Sequence, residues 1–185
     1  MKKKIKTVAV YCGHQFGLNP AFVTDAQLMG ELIGKNGLKM VFGGGDVGLM
    51  GTVAGAALDN GAHVIGISTE HVAALQEPVH QGIDVQIVPG VNERKQKMFE
   101  LSDAFIILPG GIGTLNEVTD ILTMQQIGET SKPIFFLNTH HFWWALHELI
   151  VDMMNNKFVE SFDDYNVTIA GDPHELMDGI LNYKH

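Results

Sequence analysis

The sequence predicts an α/β fold: a Rossmann-like, doubly wound parallel sheet formed as a single domain over residues 1–185. Three observations carry this. Short runs rich in Val and Ile alternate with longer stretches of helical periodicity, the pattern of buried parallel strands covered by helices on both faces. Glycine clusters stand between the end of a strand and the start of a helix, where open α/β sheets bind ligands. Finally, 185 residues with 45% hydrophobic and 18% charged side chains have the length and balance for one well-buried core.

The elements follow in order. Thr7 to Cys12 (TVAVYC) reads as the first strand and Pro20 to Lys35 as the first helix. Leu38 to Phe42 is a strand, Leu49 to Asn60 a helix and His63 to Ile67 a third strand. An irregular stretch from Ser68 to Gly82 precedes a strand at Val85 to Val88. Asn92 to Ser102 is helical, Ala104 to Leu108 a strand, Thr114 to Ile127 a helix and Pro133 to Leu137 a strand. Helices at Phe142 to Asn155 and near Glu175 to Asn182 close the chain. Right-handed crossovers arrange such units as a doubly wound sheet.

Composition narrows the function. A formal net charge of −9 argues against a nucleic-acid polymer as partner, because such binding needs a basic face. A small anion remains compatible if backbone N–H groups and a few placed cations hold it. Cys12 is the single cysteine, so no intrachain disulfide forms, which fits a reducing cytoplasm. No apolar run approaches a membrane span, so neither a membrane partner nor a membrane location is expected.

The glycines point to chemistry. Gly13 follows the first strand, Gly43, Gly44 and Gly45 the second, and Gly110, Gly111 and Gly113 the strand ending at Leu108. In a parallel sheet these loops share one rim. Glycine lets the backbone approach a ligand, and a helix N-terminus adds partial positive charge, a combination suited to phosphate. Gly43-x-Gly45-x-x-Gly48 formally matches a dinucleotide fingerprint, with Glu70 as a ribose-binding acid, but that fingerprint usually opens the fold and this match follows the second strand. No Gly-Lys-Ser/Thr occurs, which disfavours a nucleoside triphosphatase. Tight turns alone are the competing explanation, strongest for the solitary Gly13.

Motif by motif, the chain resembles a known family. Pro109-Gly110-Gly111-Ile112-Gly113-Thr114-Leu115-Asn116-Glu117 matches PGGxGTxxE. Gly43-Gly44-Gly45-Asp46-Val47-Gly48-Leu49-Met50-Gly51 is close to GGGxxGLMG, and Arg94-Lys95 followed by Met98 matches RKxxM. Ser102 to Ile106 matches the strand before the glycine motif. Together, over roughly Val8 to Phe158, they resemble the LOG family, the cytokinin riboside 5′-monophosphate phosphoribohydrolases, often labelled lysine decarboxylases. The resemblance implies a Rossmann-like homodimer that hydrolyses AMP or N6-substituted AMP to free base and ribose 5-phosphate. It implies Arg94 and Glu117 as the catalytic pair, with Lys95, Gly111, Gly113, Thr114 and Thr123 as substrate contacts. Gly43, Gly44, Gly45, Gly110 and Met98 are counted with the binding site because they belong to the same motifs. The chain departs from the pattern at Gly13-His14-Gln15 (usually Gly-Ser-Ser), at Val91 and Asn92 (usually Met-His), and at Ile112 (usually Tyr). Equal spacing places the family's substrate-binding Glu on Gln76, with Glu77 beside it.

Physical chemistry gives an independent reading of the pair. Val91, Arg94, Met98 and Leu101 recur at helical spacing and share a face expected to meet the core. An arginine in that stripe needs a buried partner or a ligand. Thr114-x-x-Glu117 has the spacing of a capping box, in which Glu117 bonds back to the Thr114 N–H. A carboxylate in a first helical turn is held as the anion. Such an anion can stabilise the positive charge that develops on ribose as an N-glycosidic bond breaks, or activate the attacking water.

Other residues offer less. His140, His141 and His147 match no strong metal-ligand spacing, and no metal is expected. No cofactor is expected either: lysine decarboxylation needs pyridoxal phosphate and a Schiff-base lysine, to which nothing in the sequence points. His14 lies on the ligand rim, Cys12 ends a buried strand, and Phe142, Trp143 and Trp144 suit a core or a dimer contact. The rival from another class is a non-catalytic carrier or sensor of a phosphorylated small molecule, similar to the molybdenum-cofactor carriers.

Overall fold

The computed structural model describes residues 4–74, 80–161 and 165–183. One seven-stranded, all-parallel sheet is built from β1 (Thr7–Tyr11), β2 (Lys39–Phe42), β3 (Val64–Thr69), β4 (Asp84–Val88), β5 (Ala104–Ile107), β6 (Ile134–Leu137) and β7 (Val167–Ala170). Its order is β4-β3-β2-β1-β5-β6-β7. The chain winds outward from β1 to β4, returns to β5 beside β1, and winds outward the other way. The switch point therefore lies between β1 and β5, where Val8 pairs with Ala104 and Tyr11 with Ile107. At such a point the loops part and leave a crevice.

Strand alternation sends successive side chains to opposite faces. Val8 and Val10 of β1 join Met40, Phe42 and Ile106 under α1 (Pro20–Lys35), α2 (Gly48–Asp59) and α7 (Pro173–Leu181). Ala9 and Tyr11 join Val41, Ile67, Phe105 and Ile107 under α4 (Val91–Leu101) and α5 (Ile112–Gln126). α1 starts where expected because Asn19 accepts from the Ala21 N–H and Pro20 presets the first turn. It packs tightly on α2, where a Cβ on Gly30 would meet the Val53 carbonyl at 2.4 Å.

Two elements depart from expectation. The irregular stretch contains a short helix, α3 (Glu70–Ala74). β7 is an additional edge strand, half of whose four side chains are exposed. α6 (Trp144–Asn155) begins after a 3-10 turn at Thr139–His141 and contains no fully buried residue. No described helix is long and apolar enough to cross a membrane.

Candidate active site

Arg94 projects from α4 across the carboxyl ends of β2 and β3. Its Nε donates to the Ile67 carbonyl at 2.9 Å and its Nη2 to the Gly43 carbonyl at 2.9 Å. Nη1 faces the Glu117 carboxylate of α5 at 3.4 Å. The side chains are only 14% and 11% exposed, so each charge depends on the other and on these hydrogen bonds. Of the stripe proposed for α4, Met98 is fully buried but Val91 is 55% exposed. Arg94 is thus held at the rim by backbone carbonyls rather than sunk in the core. Met98 lies in the sheet–helix core, so it supports α4 from beneath and does not face a ligand.

The capping box does not form. α5 begins at Ile112 with Gly111 as its N-cap, and no side chain caps it. Thr114 is therefore the third residue of the helix and Glu117 the sixth, in the second turn, beyond the reach of a box. The electrostatic expectation reverses with it. Burial pushes the Glu117 carboxyl up to about 7, against the opposing pull of Arg94 and Lys95. Glu117 exchanges its proton near neutrality instead of being locked as an anion.

The glycine loops separate into two kinds. Gly43, Gly44 and Gly45 are buried. A Cβ on Gly43 would stand 1.9 Å from Arg94 Nη2, so this glycine exists to admit the guanidinium. Gly48 has φ +67°, and a Cβ there would stand 2.3 Å from the His14 backbone, while the Met50 N–H donates to the Gly13 carbonyl. The amino end of α2 is consequently covered, and the dinucleotide reading of Gly43, Gly45 and Gly48 fails there. The end of α5 is different. Gly111 and Gly113 are exposed, with open space where a Cβ would stand. Gly110 fits closely over Thr114, whose Oγ1 would be 2.2 Å from a Cβ. The Gly13 N–H donates to the Pro109 carbonyl and joins the loops across the switch point.

Between α4 and α5 runs a cleft of about 530 Å³ whose lining includes Tyr11, Lys95, Glu117, Asp120 and Thr123. Lys95 Nζ sits 2.5 Å from Asp120 Oδ2 and 2.9 Å from Asn116 Oδ1, which ties α4 to α5 beside Glu117. Thr123 is remote from the glycine loop: nine residues after Thr114 it stands roughly 13 Å further along the helix, with Oγ1 bonded to the Thr119 carbonyl. His14 is exposed on the rim. Gln76 and Glu77 fall outside the described residues. Tyr11 went unnoticed in the sequence because it reads there as an ordinary strand residue.

The histidines assemble no metal site: no group of three or more His, Cys, Asp or Glu among the described residues could hold an ion. Burial pushes the Cys12 thiol up, which keeps it unreactive. Trp143 is buried while Phe142 and Trp144 are exposed.

Comparison with known proteins is consistent with this arrangement. Residues 50–180 match the family model described as "Possible lysine decarboxylase". A cytokinin riboside 5′-monophosphate phosphoribohydrolase of Rhodococcoides fascians is 41% identical over 142 residues, 76% of this chain and 72% of that protein. One from Arabidopsis thaliana is 31% identical over 184 residues, 99% of this chain and 86% of that protein. Among solved structures, a molybdenum cofactor binding protein from Rippkaea orientalis superposes with a TM-score of 0.69 at 28% identity, covering 97% of this chain and 99% of that one. With its PGGxGTxxE helix, its buried Arg94–Glu117 pair and relatives at this identity over most of their length, the chain belongs to the LOG family of cytokinin riboside 5′-monophosphate phosphoribohydrolases.

Proposed function

We propose that the chain hydrolyses the N-glycosidic bond of a purine nucleoside 5′-monophosphate, AMP or an N6-modified AMP such as a cytokinin riboside monophosphate. The products are the free base and ribose 5-phosphate. The observation that carries this reading is Glu117, paired with Arg94, on the wall of a cleft beside the open glycine loop of Gly111 and Gly113.

The 5′-phosphate sits at the amino end of α5, where N–H groups near Gly111 and Gly113 and the partial positive charge of the helix meet it. Lys95 supplies a cation nearby. From Ile112 to Glu117 is roughly 7.5 Å along the helix, a distance that ribose 5-phosphate bridges between phosphate and anomeric carbon. Glu117 as the carboxylate faces that carbon. Water attacks C1′, the C1′–N9 bond breaks, and its electron pair leaves with the base. Glu117 takes the proton of the water and stabilises the positive charge passing through the ribose, and the departing base takes up a proton from solvent, so that the neutral base and ribose 5-phosphate result. A carboxyl that titrates near neutrality suits this work, because it is basic enough to accept a proton and acidic enough to be anionic. Arg94 is the positioning residue: two backbone carbonyls fix it, and it holds the Glu117 carboxylate in place.

The same reading makes the chain a cytoplasmic homodimer. α6 has no buried residue, Leu149 and Met153 are exposed in the lining of an apolar groove of about 240 Å³ between α5 and α6, and Trp144 and Phe158 are exposed as well. A second copy of the chain covers that face. An alternative, favoured by the 28% identical molybdenum cofactor binding protein, is a carrier that holds a phosphorylated ligand at the same helix end without turnover. Incubation with AMP, without added metal or pyridoxal phosphate, decides between them: chromatography shows adenine and ribose 5-phosphate for the enzyme, and intact AMP for the carrier.

A further inference from the structure

Tyr11 is the last residue of β1, at the switch point, and its side chain lies on the sheet face covered by α4 and α5. Its ring lies parallel to that of Phe105 with centroids 5.9 Å apart, and Phe105 stacks in turn on Phe99 of α4 at 5.6 Å. These contacts fix the ring. The residue is 3% exposed, yet it lines the same cleft as Glu117, Asp120 and Lys95. Among the described residues no hydrogen bond engages its hydroxyl, and the only sealed side-chain polar atom without a partner is Trp143 Nε1. The phenol oxygen therefore opens into the cleft. A buried tyrosine ordinarily finds a partner for its hydroxyl; here the cleft must supply it.

We propose that Tyr11 is a substrate contact: the 2′-hydroxyl of the bound ribose donates a hydrogen bond to its phenol oxygen. The inference rests on the glycosidase reading above. With the phosphate at the start of α5 and C1′ beside Glu117, the sugar lies over the end of β1. The hydroxyl next to C1′ is the 2′-hydroxyl. A hydrogen bond given by that hydroxyl leaves more negative charge on O2′ as C1′ becomes positive, so it strengthens on the way to the transition state. Burial, and then the nearby Glu117 carboxylate, push the phenol up. It stays neutral and adds no second negative charge beside Glu117.

The test is a two-by-two comparison of wild type and Tyr11→Phe with AMP and 2′-deoxy-AMP. Phe keeps the ring, its stacking on Phe105 and the fold. The expected result is a roughly tenfold or greater loss of kcat/KM for AMP, one hydrogen bond's worth, carried mainly by kcat. For 2′-deoxy-AMP the two proteins should be equal, since the partner hydroxyl is already missing. Equal losses on both substrates, or no loss on either, would overturn the proposal while leaving the glycosidase reading intact. A wild-type protein that cleaves neither AMP nor N6-modified AMP overturns both.

Discussion

The guanidinium of Arg94 fills the volume that a side chain on residue 43 would need. Its Nη2 donates to the Gly43 carbonyl at 2.9 Å and lies 1.9 Å from where a Cβ on Gly43 would stand. With Nε on the Ile67 carbonyl, this leaves Nη1 free to face Glu117. A methyl group at 43 must therefore push the arginine out of register. Gly43→Ala should fold, as checked by circular dichroism, but lose roughly a hundredfold or more in kcat/KM for AMP, the scale of a displaced charged group. Near-normal activity would mean that the position of Arg94 does not matter.

Glu117 gives a pH signature. Its carboxyl is raised by burial to about 7, and the mechanism requires the anion. kcat/KM should rise with pH through about 7 and level off above it. A profile that falls across this range would assign Glu117 the role of an acid.

The same shift affects stability, with a definite sign. A folded value of about 7 against an ordinary 4.5 means that the folded state holds the proton more tightly. Its contribution is fully present below about 4.5 and is lost as pH rises through about 7, on the order of 3 kcal/mol in all. Glu117→Gln removes this dependence. Relative to wild type, the Gln variant should gain melting temperature between pH 5 and pH 8, as read by calorimetry. A constant difference would contradict the burial assigned to Glu117.

Much of this was legible in the sequence, and the failures have physical causes. Asn19 and Pro20 announce α1 because capping and preset φ are local. β7 escaped because it is a four-residue edge strand with two exposed side chains, so neither length nor burial marks it. The capping box misled because the N-cap is Gly111, which carries no side-chain signal and stands three residues before Thr114. The glycine clusters looked alike in sequence, since a glycine that admits an arginine and one that bares its backbone are the same letter. Only tertiary contacts distinguish Gly43, covered by Arg94, from Gly111 and Gly113, which are open.

That distinction has a consequence for substrates. If the open loop holds the 5′-phosphate, adenosine should be a far worse substrate than AMP. Two charge-assisted hydrogen bonds at roughly 1.5–3 kcal/mol each amount to about a hundredfold or more. Because the phosphate also anchors the ribose against Glu117, the loss should appear in kcat as well as KM. Similar kcat/KM values would remove the phosphate from the loop.

The apolar face on α6 predicts assembly. Sedimentation at micromolar concentration should give twice the 20.2 kDa chain mass, and Met153→Glu combined with Phe158→Glu should yield monomers. A monomeric wild type would leave that face without the occupant assigned to it.

Glu117 is the proposed carboxylate of N-glycosidic hydrolysis. Its most direct test compares wild type and Glu117→Gln with AMP, measuring released adenine by chromatography. Gln keeps the shape and, with no capping box to complete, changes little besides the charge. Adenine is expected from wild type, with a rate at least about a hundredfold lower from Glu117→Gln. Equal rates from the two proteins would contradict it.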